Sequence, residues 1–439
     1  MIRPIRRGEL GGIMAAVTAG RIFVFFECFA LGGVELSALN YIREWLAAGR
    51  HVTLFVGAAD GPLQAHIPDG VELVTPEREI ESYTGMFAPV IRAARAARPD
   101  LIFVPGNRYT AIGLILKIAL GRAAPPFVVK LSNSLELAQS GSLKRSVYRC
   151  FLRLQAKLFD HAVAMSPGLS AEAQRFGGFA APRLSVVADP PSITAAPQGL
   201  SDSAARLVAV GRCTPQKRFD RLLRALARTP RPIALDLIGD GPDLPALVEL
   251  AAGLGIAHRV TFHGFLPDPS AMVTRARALV LSSDYEGLPA VAIEALAAGT
   301  PVVTTDCTPA FHDLLTSPVL GRIVPRDDER ALADALTAAA LIAPDRTAIR
   351  AAVKLATWPG SARRYLVLFD GLVRGQRRRR AAPAEAGPVR RPALAPVGAA
   401  LAIAAIIGAV PFASPGALAR ARSEIARIAL PQGESAAQR

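Results

Sequence analysis

Between residues 21 and 305 the chain alternates short, almost wholly apolar runs with helix-length segments, and it does so twice, on either side of a proline-rich stretch. The first set is "RIFVFF" (21–26), "HVTLFVG" (51–57), "LIFVP" (101–105), "FVVKLS" (127–132) and "HAVAMS" (161–166). After "ADPPSITAAPQGLSDSA" the pattern restarts with "RLVAVG", "IALDLIGDG", "RVTFHGF", "ALVLSS" and "TPVVTT". Strands that read as continuous apolar runs are buried on both faces, and helix-length connections between them demand parallel pairing. The alternation therefore predicts an α/β fold of two doubly wound, Rossmann-like parallel-sheet domains.

The boundaries follow from where the pattern stops. We expect a disordered leader over 1–20, a first domain over 21–190, a linker over 191–202 and a second domain over 203–355. With 439 residues, 51% of them apolar, the chain has enough material for both cores. Past residue 376 the composition changes: seven arginines between 374 and 391 face one glutamate, and an uncharged Ala/Pro-rich stretch follows. We read 376–439 as a flexible basic and apolar tail. Its apolar segment 397–410 would span roughly 21 Å as a helix against a hydrocarbon core of about 30 Å, so crossing a membrane is not expected.

The formal charge of +15 calls for an anionic partner, and its location narrows the choice. The arginines concentrate in the tail and no recognition module with interleaved aromatics is present, so nucleic acid is not expected. Segment 143–159 places Arg145, Arg149, Arg153 and Lys157 at four-residue spacing beside Val147, Phe151, Leu154 and Leu158. This cationic amphipathic helix either packs on the sheet with a solvated outer face or lies against anionic lipid. Cys28, Cys150, Cys213 and Cys307 are scattered without Cys-x-x-Cys spacing, which fits a reducing cytoplasm. The histidines lack metal-ligand spacing, and "GDGPDL" lacks the third glycine of a dinucleotide fingerprint.

Open α/β sheets bind ligands beyond the carboxyl ends of their strands, so chemistry-bearing residues belong on the strand-to-helix loops. In the first such loop Gly32 and Gly33 precede a helix, giving either a phosphate-accepting amide pair or a plain tight turn. In "VGRCTPQKRFD", Gly211 ends a strand and Arg212 and Lys217 flank the turn before a helix at 219–228. Two cations at a helix start favour a diphosphate; solvated loop charges are the alternative.

A third loop, "DYEGLPAVAIEAL", opens a helix at 289–298 whose residues are nearly all Ala, Val, Ile or Leu. We expect it to be buried all round, which leaves Glu294 in need of hydrogen-bond donors. The adjacent hydroxyls of a ribose supply two; an ion pair to a nearby Arg or Lys is the structural alternative. Glu286, with Gly287 and Leu288 at the helix start, can reach a ligand that the helix end also touches; a surface loop acid is the alternative.

"EGLPAVAIE" is an E-x7-E pattern. Together with "VGRCTPQKRFDRLL", "LIGDGPDLPALVELAAGLGIAHRVTFHGF", "DCTPAFHDLL" and "GRIVPRDDERALADAL" it resembles the retaining GT-B glycosyltransferases of group 1, the glycogen-synthase-like and mannosyltransferase-like superfamily, over roughly 21–372. The resemblance implies two domains facing across a cleft, the first binding the acceptor and the second the nucleotide-sugar donor. A final helix at 356–375 would return to the first domain. By the same resemblance Arg212 and Lys217 hold the donor diphosphate, Glu294 the ribose and Glu286 the hydroxyls of the transferred sugar. Gly32 and Gly33 close the phosphate site, and Phe265 lies by the base.

The implied function is transfer of a sugar from a nucleotide-diphosphate-sugar to a glycan or lipid-linked acceptor in cell-surface polysaccharide or glycolipid synthesis. A GT-B epimerase or phosphorylase, or a non-catalytic nucleotide-sugar-binding scaffold, shares the architecture. No cofactor beyond the donor co-substrate and no metal are expected: no Asp-x-Asp triplet occurs, and two basic residues take its place. Many relatives carry a histidine after the strand matching "FVVKLSN", where this chain has Lys130, Ser132 and Asn133. The expected location is cytoplasmic, with peripheral attachment to an anionic inner membrane face as an extension.

Overall fold

The computed structural model describes residues 18–29, 32–80, 82–136, 142–192, 205–230 and 232–381. The expectations for the leader up to residue 17, for most of the linker and for the tail beyond 381 lie outside the described residues.

Two parallel sheets organise the chain. The first comprises β1 (Arg21–Cys28), β2 (His51–Ala58), β3 (Glu72–Val74), β4 (Leu101–Val104), β5 (Phe127–Leu131), β6 (His161–Ala164) and β7 (Leu184–Val186), in the order β3-β2-β1-β4-β5-β6-β7. Its central register sets Val24 beside both Leu54 and Phe103. Helices cover both faces, so β1, β4, β5 and β6 are buried nearly end to end, which is why they read as unbroken apolar runs.

The second sheet comprises β8 (Arg206–Val210), β9 (Ala234–Ile238), β10 (Val260–Gly264), β11 (Ala278–Leu281), β12 (Val302–Thr305) and β13 (Gly321–Val324), in the order β10-β9-β8-β11-β12-β13. In both sheets the strand order reverses beside the first strand, between β1 and β4 and between β8 and β11. Such reversal points open a crevice at the carboxyl ends of the strands, because the flanking connections leave in opposite directions.

The last helix, Trp358–Ala381, belongs to the first domain's core: Ala362, Tyr365, Leu366, Phe369 and Val373 join its buried cluster. Tyr365 packs edge-on against Tyr41 and Phe103, with centroids at 4.8 and 5.5 Å. Asp370 accepts from Arg50 through two 2.9 Å bonds and from the amides of Thr18 and Ala19.

These contacts correct two boundaries. Residues 18–20 belong to the folded domain rather than to a leader, and residues 376–381 are helical rather than tail. Arg377 binds Asp100 at 2.7 Å and Gln376 donates to the Ala124 carbonyl. The arginine run sits on the last helical turn, where cations complement the helix dipole.

Among the described residues no helix is long and apolar enough to cross a membrane. The helix Ser142–Leu158 packs on the first domain: Phe151, Leu152 and Ala156 are buried, while Arg145, Arg149, Arg153 and Lys157 line its exposed side.

Candidate active site

The second sheet's crevice lies between the loop after β8 and the loop after β11, and these two loops carry most of the residues singled out in the sequence. Gly211 leaves β8 against Gly239, whose φ of 144° suits glycine and whose Cβ, if present, would lie 1.8 Å from the Gly211 carbonyl oxygen. The turn that follows brings Lys217 back over Gly211, and its Nζ donates to Glu286 Oε1 at 2.5 Å. Ser283 Oγ donates to the same oxygen at 2.7 Å, and Glu286 is only 7% exposed. Arg212 is exposed; its carbonyl accepts from the Thr214 amide, and its guanidinium has no hydrogen-bond partner among the described residues.

The two loops are stitched together along their backbones. Ser282 Oγ donates to the carbonyls of Lys217 and Arg218, the Asp284 amide to the Gln216 carbonyl, and Gln216 Nε2 to the Tyr285 carbonyl, all within 3.0 Å. Beneath them the Asp284 carboxylate accepts from Arg221 Nη2 at 2.8 Å and from Arg218 Nη1, while Arg326 donates to the Asp284 carbonyl. Sequence reasoning missed Arg221 and Asp284. An arginine in an amphipathic helix reads as solvated, yet Arg221 is 3% exposed.

Glu294 projects from the helix Ala290–Ala298, which ends at Gly299 in the left-handed region (φ 81°), as its sequence requires. The expectation that this helix is buried all round is corrected. Ala290, Val291, Glu294 and Ala297 form a face that is not buried, because that stripe looks out from the domain. The donors Glu294 needs come from Ser192, through its amide and hydroxyl, at the end of the first domain's last segment. Burial nevertheless pushes the Glu294 carboxyl above its usual value.

The domains meet at this site. Gly287 lies so close to the Ser132 carbonyl that an added Cβ would stand 2.1 Å from its oxygen, and the Ser134 amide donates to the Glu286 carbonyl at 3.1 Å. Leu288 packs with Ala164, Met165, Leu169 and Ala310, so its side chain bridges the domains. The Gly168 amide donates to Asp313 Oδ2 at 2.7 Å.

The remaining residues have other neighbours. Gly32, in extended conformation, precedes the helix Gly33–Ala47 at the first sheet's reversal point, and Gly33 has open space where a Cβ would be. Phe265 follows Gly264 (φ 64°) and is half exposed. Lys130 does not face the cleft: it is buried, pairs with Asp189 and donates to Ser37 Oγ at 2.7 Å. Tyr41 donates to the same Asp189 at 3.0 Å. This cluster anchors the start of the interdomain connection.

Cys307 lies beneath Glu286, whose amide donates to its carbonyl; burial and then the Glu286 charge push its thiol up to about 12. Among the described residues no cluster of His, Cys, Asp and Glu is placed to hold a metal ion.

Chemically, the crevice offers an exposed guanidinium, a lysine held by a carboxylate, glycines that admit close backbone approach, and a second carboxylate on an open helix face. Comparison with known proteins identifies the family and the fold. Residues 194–354 match the family model for glycosyl transferases group 1, and residues 32–190 match that for a glycosyl transferase 4-like domain. The D-inositol 3-phosphate glycosyltransferase of Rhodococcus jostii is 37% identical over 317 residues, 63% of this chain and 70% of that protein. The lipopolysaccharide 1,6-galactosyltransferase of Salmonella typhimurium is 32% identical over 172 residues, 37% of this chain. That match spans 48% of the relative's own length, less than two thirds.

The crystal structure of Anabaena Alr3699/HepE in complex with UDP and glucose superposes with a TM-score of 0.61 at 20% identity, covering 82% of this chain and 98% of that one. The two parallel-sheet domains are thus those of the GT-B fold, and the chain belongs to the group 1 glycosyltransferases.

Proposed function

We propose that this protein is a retaining, metal-independent glycosyltransferase that moves a hexose from a nucleotide-diphosphate-sugar to a glycan or lipid-linked acceptor. The observation that carries the reading is the Lys217–Glu286 pair in the second sheet's crevice, beside the uncommitted Arg212. Breaking the sugar–phosphate bond leaves negative charge on the diphosphate, and preorganised cations stabilise it. Arg212 and Lys217 fill that role, Lys217 turning from Glu286 to the diphosphate as the donor enters. Glu286, released, accepts from the hydroxyls of the transferred sugar, and Gly211, Gly287 and Leu288 offer backbone to the donor. Glu294 takes the ribose hydroxyls in place of Ser192, Phe265 stacks on the base, and Gly32 and Gly33 close the phosphate site.

In the transfer step the anomeric carbon–phosphate oxygen bond breaks while the acceptor oxygen bonds to the same face. The acceptor proton passes to the leaving phosphate oxygen, so configuration is retained without a protein nucleophile. The exposed basic row from Arg145 to Lys157 suits an anionic membrane surface that presents a lipid-linked acceptor.

Thermal stabilisation by UDP, GDP and TDP and their sugars tests the donor reading. A ligand at 100 times its dissociation constant stabilises by roughly 2.7 kcal/mol. Stabilisation by one base, lost in a folded Glu294→Ala variant, is the expected result; no stabilisation by any of them would defeat the reading.

A further inference from the structure

The first sheet reverses order between β1 and β4, and a second cation–carboxylate pair spans that crevice. Glu27 stands next to last on β1, and Arg108 lies on the turn that follows β4. Both Nε and Nη2 of Arg108 donate to the same oxygen of Glu27, Oε2, at 2.9 and 2.5 Å. Glu27 Oε1 and Arg108 Nη1 are engaged by no described residue. The Arg108 side chain is 57% exposed and that of Glu27 19%.

The turn itself is rigid. Tyr83 donates to the Arg108 carbonyl at 2.5 Å, and Asn107 clamps the next loop, accepting from the Ser132 amide and donating to the Asn133 carbonyl. One residue further, Ser134 donates to the Glu286 carbonyl, so a continuous run of bonded loops joins this crevice to the one that holds Lys217.

With the Arg108 half of the pair mostly in solvent, the pair contributes little to stability, on the order of 1 kcal/mol, so stability alone gives little reason for it to occupy a ligand-binding crevice. Its chemistry is specific. The pair is neutral overall, which removes the attraction a bare arginine has for phosphate. A carboxylate oxygen awaiting a donor beside a guanidinium nitrogen awaiting an acceptor matches two adjacent hydroxyls, one donating and one accepting.

We propose that Glu27 and Arg108 form a binding subsite for an uncharged polyol, a sugar ring or cyclitol, held by vicinal hydroxyls and presented to the cleft as the group to be glycosylated. The assignment of that polyol as acceptor rests on the donor reading given above.

Saturation-transfer NMR on the full chain tests it, with UDP and GDP present and a mixture of methyl α-glucoside, methyl α-galactoside and myo-inositol as probes. The wild-type protein is expected to saturate at least one polyol. Arg108→Gln and Glu27→Gln should each reduce that signal at least fivefold while leaving the nucleotide signal unchanged, which also shows that the variants are folded. Lys217→Gln should do the opposite. No polyol signal from the wild type, or an undiminished signal in both variants, overturns the proposal. A polyol signal lost in the variants, with no nucleotide bound by the wild type, leaves the subsite standing and removes the donor reading instead.

Discussion

Lys217 Nζ sits 2.5 Å from Glu286 Oε1, although the two residues are 69 positions apart and lie on loops from different strands. Each is the other's counter-ion, and the side chains are 17% and 9% exposed. Removing one partner strands the other. Lys217→Met is therefore expected to lower unfolding free energy by about 3 kcal/mol, and the double variant Lys217→Met/Glu286→Leu to recover most of it. Denaturant unfolding of both variants checks this; additive losses would contradict it.

Gly287 and Ser132 bring the two domains into backbone contact. Gly287→Ala places a methyl 2.1 Å from the Ser132 oxygen, a distance no packing tolerates, so the domains must part. The same methyl would stand 2.8 Å from Met165 Cε, in the small cluster the two domains share, so we expect a loss of about 1–3 kcal/mol from overpacking. Small-angle scattering should show a larger radius of gyration, and nucleotide-sugar turnover should fall at least tenfold. An unchanged radius would rule out the contact as a determinant of closure.

Arg221 and Asp284 brace the loops from below. Arg221→Met leaves a buried carboxylate without its closest cation, and a loss of about 3–5 kcal/mol is expected. Hydrogen exchange should quicken at the amides of Asp284 and Lys217, whose bonds join the two loops and their turn. Exchange at wild-type rates there would show that the loops hold themselves.

His161 carries a pH dependence of its own. Burial, and then the Arg183 charge, lower its pKa to about 4, and its Nε2 lies 2.8 Å from Ser185 Oγ. The unfolded chain binds a proton near pH 6.5 that the folded protein refuses. Stability is therefore full above that value and falls as pH drops towards 4, by up to roughly 3 kcal/mol from this one group. His161→Gln should flatten that limb of the stability curve; a limb of the same steepness in the variant would assign it to other groups.

What the sequence disclosed and what it hid have physical causes. Strands β1, β4, β5, β11 and β12 were legible because they are buried on both faces. β3, β7 and β13 were not: "ELV", "LSV" and "GRIV" are three or four residues long, lie at sheet edges and are largely unburied. The helix carrying Glu294 was placed within a residue by Gly299, but in an Ala-rich helix nothing marks which face looks out. Arg221 and Asp284 were illegible as a pair, since a buried ion looks like a surface ion until its partner is in place. The approach of Gly287 to Ser132 depends on how two separately folded units meet, which no local pattern records.

The position of the helix Trp358–Ala381 bears on how the protein is made. Tyr41, Trp45 and Phe103, all fully buried, are covered in part by Tyr365 and Phe369. On a ribosome the first sheet therefore emerges with an aromatic face bare, and the residues that cover it follow only after the whole second domain. At synthesis rates of about 5–20 residues per second the wait is on the order of ten to thirty seconds. During that interval a half-finished chain displays the sticky surface on which chaperones and neighbouring nascent chains act.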